Sequence, residues 1–315
     1  MAVIELNKLS KWYGEVIGLN NVTAVVESGI TGLIGPNGAG KSTLMGLAMG
    51  QLRPSTGSIR LLGRPVWNNP AVLSQLGYCP EGDIFWPELT GWEFVLFLAR
   101  VSGLRGRAAQ AAAREAIEWT GMREDMNRPI KGYSKGMRQR IKIAQALAHR
   151  PRMLILDEPF TGADPVARHE LTMLFRRLAD DGVSVLISSH VLHEVEALTR
   201  QILMIHHGRI VAEGDLHEVR RLMQDRPHAI RVRVSAPRRL AVDLVNWEII
   251  SSVHIVSADT LIIETAAPDQ VYDRLPELIL AKGLRPREIA AADASLEAVF
   301  EYLTTGGASP GGARQ

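Results

Sequence analysis

Several things are scarce in this chain, and each scarcity excludes a class of protein. It has one cysteine, Cys79, in 315 residues. No intramolecular disulfide can form, which suits a reducing compartment. No stretch reaches the ~20 consecutive apolar residues that a membrane-spanning helix needs. Met1 to Leu9 lacks the basic-then-apolar pattern of a secretory leader, because Glu5 and Lys8 interrupt it. An excess of one charge is missing too. The formal net charge is +2, with no block of like charge, so nothing favours nucleic acid as a partner. The expectation is a soluble chain whose membrane role, if any, runs through a partner.

What is present begins with a core. The chain is 46% hydrophobic, enough for one large domain and a smaller one without crosslinks. The most informative stretch is Gly35-Pro36-Asn37-Gly38-Ala39-Gly40-Lys41-Ser42-Thr43, which fits the phosphate-loop pattern G-x-x-x-x-G-K-[ST]. An apolar run, Ile30 to Ile34, reads as a strand leading in. Leu44, Leu47 and Ala48 then fall at helical spacing, with Gly50 as a stop. The chemistry needs these residue types. Glycines let successive backbone N–H groups converge on one anion, and the following helix adds its positive end. Lys41 is placed to reach the β- and γ-phosphates, and the Ser42 hydroxyl to bind Mg²⁺.

Other candidates follow along the chain. Tyr13 lies just upstream of the loop, where an aromatic ring either stacks on an adenine or sits half-buried in a turn. Met153 to Leu156 is an apolar run ending in Asp157-Glu158. A buried parallel strand delivers its C-terminal residues to the ligand crevice. Asp157 would therefore hold Mg²⁺ through its water shell, and Glu158 would act as general base toward an attacking water. Val183 to Ser188 reads as the next buried strand. His190 follows it closely, which favours a γ-phosphate contact over the structural role usual for a lone histidine. His206-His207 has no accompanying ligand cluster to make it a metal site.

Helical patterns fill Thr90 to Arg150, read as a helical insert between two halves of a sheet. Beyond Arg226-Pro227 the composition shifts and the order reads β-α-β-β-α-β, the ferredoxin-like arrangement. Ser295 to Tyr302 reads as a short helix, and the Gly-rich tail from Thr304 as disordered. The expected organisation is residues 1–225, with a helical subdomain at about 90–150, then 226–303, then a tail at 304–315.

The first two-thirds of the chain resembles the ATP-binding subunits of ABC transporters. Tyr13 matches that family's adenine-stacking aromatic, and Gly35 to Thr43 its phosphate loop. Tyr133 to Arg140 matches the signature segment, Leu154 to Glu158 the Mg²⁺ strand and base, Gly162 to Pro165 the loop after it, and His190 the switch histidine. The resemblance implies an α/β fold: a P-loop ATPase domain of mixed sheet, antiparallel β and helical subdomains, followed by the small α+β domain. It implies ATP hydrolysis with Mg²⁺ and two copies packed head to tail, Ser134 and Gly136 of each closing over the other's γ-phosphate. It implies an integral-membrane permease on a separate chain, and a cytoplasmic location on the inner face of the membrane through that permease.

Two departures stand out. The usual Ser-Gly-Gly-Gln core reads Ser134-Lys135-Gly136-Met137. The loop glutamine that touches Mg²⁺ corresponds to Glu81, which can bind a cation but lacks an amide donor. Both departures, and a C-terminal segment like Ser295 to Phe300, point to an exporter subclass. Phe85, Trp86, Trp92, Phe94 and Phe97 offer an apolar groove for the permease, against a bland reading as core. The alternatives are a non-transport relative acting on ribosomes or nucleic acid, and a metabolic kinase. A single phosphate loop, near-neutral charge and a short helical block count against the former. The latter would need an acceptor pocket, for which the paired motifs leave no obvious place.

Overall fold

A computed structural model describes residues 2–221 and 228–291. The chain divides into two units between Leu216 and His217. Arg226-Pro227, the Ser295 to Tyr302 segment and the tail lie outside the described residues.

The first unit opens with β1 (Ala2–Tyr13), β2 (Val16–Glu27), β3 (Ile30–Ile34), α1 (Lys41–Ala48), β4 (Thr56–Leu61), β5 (Arg64–Pro65), α2 (Pro70–Leu73) and β6 (Leu76–Cys79). Then come α3 (Gly91–Val101), α4 (Gly106–Trp119), α5 (Lys135–Leu147), β7 (Met153–Asp157), α6 (Pro165–Asp180), β8 (Ser184–Ser189), α7 (Leu192–Glu196), β9 (Gln201–His206) and β10 (Arg209–Asp215). A further helix, α8 (Leu216–Arg221), begins at the division. The second unit holds β11 (His228–Val234), α9 (Pro237–Leu244), β12 (Ile250–Ile255), β13 (Thr260–Thr265), α10 (Pro268–Ala281) and β14 (Pro286–Ala291).

Two sheets build the first unit. One is antiparallel, in the order β2-β1-β4-β5. The other, β10-β9-β3-β8-β7-β6, is parallel except for the β9–β10 hairpin. The β7 residues show why the apolar run has no alternation. Leu154 and Leu156 face the core shared with α3, α4, α5 and α6, while Met153 and Ile155 face the core shared with α1 and the antiparallel sheet. A strand covered on both faces must be apolar on both. Helices α3, α4 and α5 pack on one another and form the helical insert, with Thr90 capping α3 through a reciprocal bond to Glu93.

The second unit is one antiparallel sheet in the order β12-β13-β11-β14 with α9 and α10 against it. Its element order is the β-α-β-β-α-β read from the sequence. Strand β4 begins at Thr56 and takes in Gly57, a residue type that weakens a strand interior. The position calls for glycine, with φ of 75° and no room for a Cβ beside the Lys8 carbonyl at 2.2 Å. No helix among the described residues is long and apolar enough to cross a membrane.

Candidate functional site

The parallel strands β3, β7 and β8 end at one edge, and the loop from Gly35 to Gly40 leaves there. Gly38 and Gly40 take positive φ, 79° and 113°, which favours glycine. Gly40 is the N-cap of α1 and offers no side-chain cap. The first N–H groups of α1 are therefore open to an anion. Gly35 serves the loop differently. It does not line the cavity; a Cβ there would lie 2.3 Å from the Ile205 carbonyl, so the loop can pass β9 only without one.

A cavity of about 260 Å³ lies over this loop, and Asn37, Gly38, Gly40, Lys41, Ser42 and Thr43 form its floor. Tyr13, Glu81, Asp157 and Glu158 complete its walls. The Tyr13 ring is 45% exposed, its hydroxyl 3.5 Å from Thr43 Oγ1, and the Lys11 ammonium sits 5.3 Å from its centroid. Gly18 makes space for that ring: a Cβ there would meet Tyr13 at 2.9 Å and Thr43 at 3.0 Å.

Lys41 is 7% exposed and donates to the carbonyls of Gly35 at 2.7 Å and Pro36 at 3.3 Å. Glu158 lies between two basic groups, Oε1 3.9 Å from Lys41 Nζ and Oε2 2.9 Å from His190 Nδ1. Burial pushes the Glu158 carboxyl above its ordinary pKa, and the His190 hydrogen bond and the charges of His190 and Lys41 oppose that rise. The Glu158 backbone takes φ of 49°, rare for a bulky side chain. Its N–H donates to Ser188 Oγ at 3.1 Å, and Ser188 Oγ–H donates to Asp157 Oδ1 at 2.6 Å.

Ser42, Asp157 and Glu81 face the same cavity with a hydroxyl and two carboxylates. This all-oxygen set fits Mg²⁺, which keeps several waters and takes one or two carboxylates beside substrate phosphates. No cluster of three or more His, Cys, Asp or Glu suited to a metal occurs among the described residues, so phosphate would have to complete the shell. His206 and His207 meet edge to face, centroids 4.0 Å apart.

Ser134 and Gly136 are not brought to this cavity. Ser134 caps α5, accepting from the Met137 N–H at 3.2 Å, and is exposed. Lys135 lays its aliphatic stem over Gly162; a Cβ at Gly162 would meet it at 2.4 Å.

The structure adds a set of contacts that the sequence did not reveal. Strand β6 is the edge of the mixed sheet, so one row of its carbonyls needs other partners. Polar side chains of α5 and the residues after it supply them. His149 Nε2 lies 2.8 Å from Leu76 O, Gln145 donates to Tyr78 O at 2.7 Å, and Lys142 donates to Pro80, Glu81 and Gly82 carbonyls at 3.0, 2.8 and 3.3 Å. Steps of three or four residues on the helix meet steps of two on the strand because both advance about 5–7 Å. The ladder ties the helix that starts at Ser134 to the loop that carries Glu81.

The five aromatic residues split between core and surface. Phe94 is buried, and Phe85 and Trp92 pack partly buried against the same core. Only Trp86 and Phe97 are exposed, stacked edge to face at 5.4 Å beside an apolar cavity of about 440 Å³.

Comparison with known proteins identifies the family of the chain. A family model described as ABC transporter matches residues 19–161. An uncharacterized ABC transporter ATP-binding protein of Bacillus subtilis, YxlF, is 36% identical over 232 residues, 73% of this chain and 77% of that protein. The Nod factor export ATP-binding protein I of Sinorhizobium fredii is 33% identical over 313 residues, 96% of this chain and 85% of that one. Among solved structures, an ATP-binding subunit of an ABC transporter superposes with a TM-score of 0.65 at 30% identity, over 70% of this chain and 93% of that one.

Proposed function

The chain belongs to the ATP-binding subunits of ABC transporters, and from that premise we propose how its own residues bind and hydrolyse ATP and what the cycle drives. The observation that carries the proposal is the convergence of Lys41, Asp157 and Glu158 on one cavity at the open N-terminus of α1. The loop N–H groups and the first turn of α1 bind the phosphates. Lys41 turns its ammonium from the Gly35 carbonyl to the β- and γ-phosphates. Tyr13 stacks on the adenine. Glu158 orients the attacking water and takes its proton, and His190 holds the Glu158 carboxylate and contacts the γ-phosphate. Ser42, Asp157 and Glu81 would hold Mg²⁺, which would supply positive charge to offset that of the phosphates.

One cavity covers ATP from one side only. The exposed Ser134, opening α5, supplies the missing donors to the ATP of a second copy, with Gly136 beside it. ATP is then shared across the dimer, and loss of the γ-phosphate releases it. The direction is export, and the full-length match to a Nod factor export subunit supports it. The permease contact is the apolar cavity beside Trp86 and Phe97. The protein thereby works on the cytoplasmic face of the membrane.

The test is Glu158→Gln with Mg-ATP. Nucleotide binding should persist, turnover should fall by about 10²–10⁴-fold, and a dimer should accumulate in light scattering. Turnover at the normal rate, or a species that stays single under those conditions, contradicts the proposal.

A further inference from the structure

We infer that Ser188 is a positioning residue for hydrolysis, its one hydroxyl setting the geometry of both acids at the end of β7. The inference rests on the reading of Asp157 and Glu158 just given. Ser188 is 0% exposed and stands opposite Asp157 in the parallel β7–β8 register. Its hydroxyl donates to Asp157 Oδ1 at 2.6 Å and accepts from the Glu158 N–H at 3.1 Å. Only a hydroxyl can do both from that position, since it carries a donor and free lone pairs on one atom.

Each bond has a consequence. The first fixes the Asp157 carboxylate about its terminal torsion and engages one oxygen, leaving the other for the cavity that Asp157 lines. The second holds the peptide of a residue in the left-handed region, φ 49°, which a bulky side chain rarely adopts. Such strain persists only where surrounding contacts over-determine it. The turn brings the Glu158 side chain to Lys41 and His190, where an extended continuation of β7 would carry it elsewhere. Ser188 touches no reacting atom; it acts through the two acids.

The experiment compares Ser188→Ala with the near-isosteric pair Ser188→Thr and Ser188→Val in the full chain. Steady-state ATPase is measured, together with Mn²⁺ affinity by electron paramagnetic resonance in ATP-loaded protein carrying Glu158→Gln. Ser188→Ala should lower kcat by about 10–100-fold and weaken Mn²⁺ to a similar degree, with KM for ATP unchanged. Threonine should retain far more of both than valine, which also covers the case in which alanine fails to fold. Wild-type kcat and Mn²⁺ affinity in Ser188→Ala, or equal losses in the threonine and valine variants, overturn the inference. If Glu158→Gln alone hydrolyses ATP normally, the reading of the acids fails instead, so the two failures are distinguishable.

Discussion

Lys142→Met tests whether the α5–β6 ladder holds the Glu81 loop in place. Lys142 is 3% exposed, and its ammonium donates to three consecutive carbonyls, with Asp83 Oδ1 at 3.4 Å. Methionine matches the length and flexibility of the stem, so packing is largely kept and the loss is polar. Asp83 retains Arg138 at 2.9 Å. The cost therefore falls on the three carbonyls. Those of Glu81 and Gly82 belong to exposed residues and can turn partly to water, so about 1 kcal/mol each is appropriate, below the range for bonds to charged groups. Relief of burying an ammonium offsets a little, leaving a net of about 2–3 kcal/mol. At about 2–4 °C per kcal/mol for a unit of this size, the first unit should melt about 4–12 °C lower. Scanning calorimetry of the full chain reads this. Because the freed loop carries Glu81, the Mg²⁺ concentration for half-maximal ATPase should also rise. A Tm within about 1 °C of wild type, with Mg²⁺ dependence unchanged, refutes the reasoning.

Two more perturbations follow from local geometry. Burial holds the His149 pKa below its ordinary value, Nε2 serving Leu76 O while Nδ1 is buried with no hydrogen-bond partner among the described residues. A depressed histidine contributes stability that is present above its unfolded pKa of about 6.5 and is lost as pH falls through the folded value. His149→Gln keeps a donor and does not titrate. Between pH 7 and 5 its urea midpoint should fall less than that of wild type, and parallel losses would refute the assignment. Gly35→Ala places a Cβ 2.3 Å from Ile205 O, so the backbone must move. We expect about 1–3 kcal/mol of lost stability and weakened nucleotide binding by calorimetry; wild-type ATP affinity would show that the loop tolerates the shift.

The legible part of the site was the part written in consecutive residues. Gly35 to Thr43 carries its chemistry within one turn of chain, and Asp157-Glu158 sits where a run of buried residues stops. His190 was readable because β8 ends just before it. Ser188 and Gly18 were not. Nothing in their own neighbourhoods marks them; one matters because β7 lies beside β8, the other because a tyrosine ring crosses it. The polar face of α5 was equally silent. Gln145, Lys142 and His149 look like ordinary helix surface until β6 proves to be the sheet edge they cover. Among the aromatics, helical spacing alone did not separate Phe94, which enters the core, from Phe97, which leaves it.

By itself the sequence determined the phosphate-loop pattern, the two-sided burial of the central strands and the β-α-β-β-α-β order of the second unit. These depend on short-range geometry: glycine torsions, helix and strand periods, and the end of an apolar run. The tertiary structure alone decided which groups face Glu158, which hydroxyl bridges the two acids, and which carbonyls need α5. Those outcomes depend on strand neighbours and register. Register is fixed by the packing of all the layers together, and no single segment encodes it.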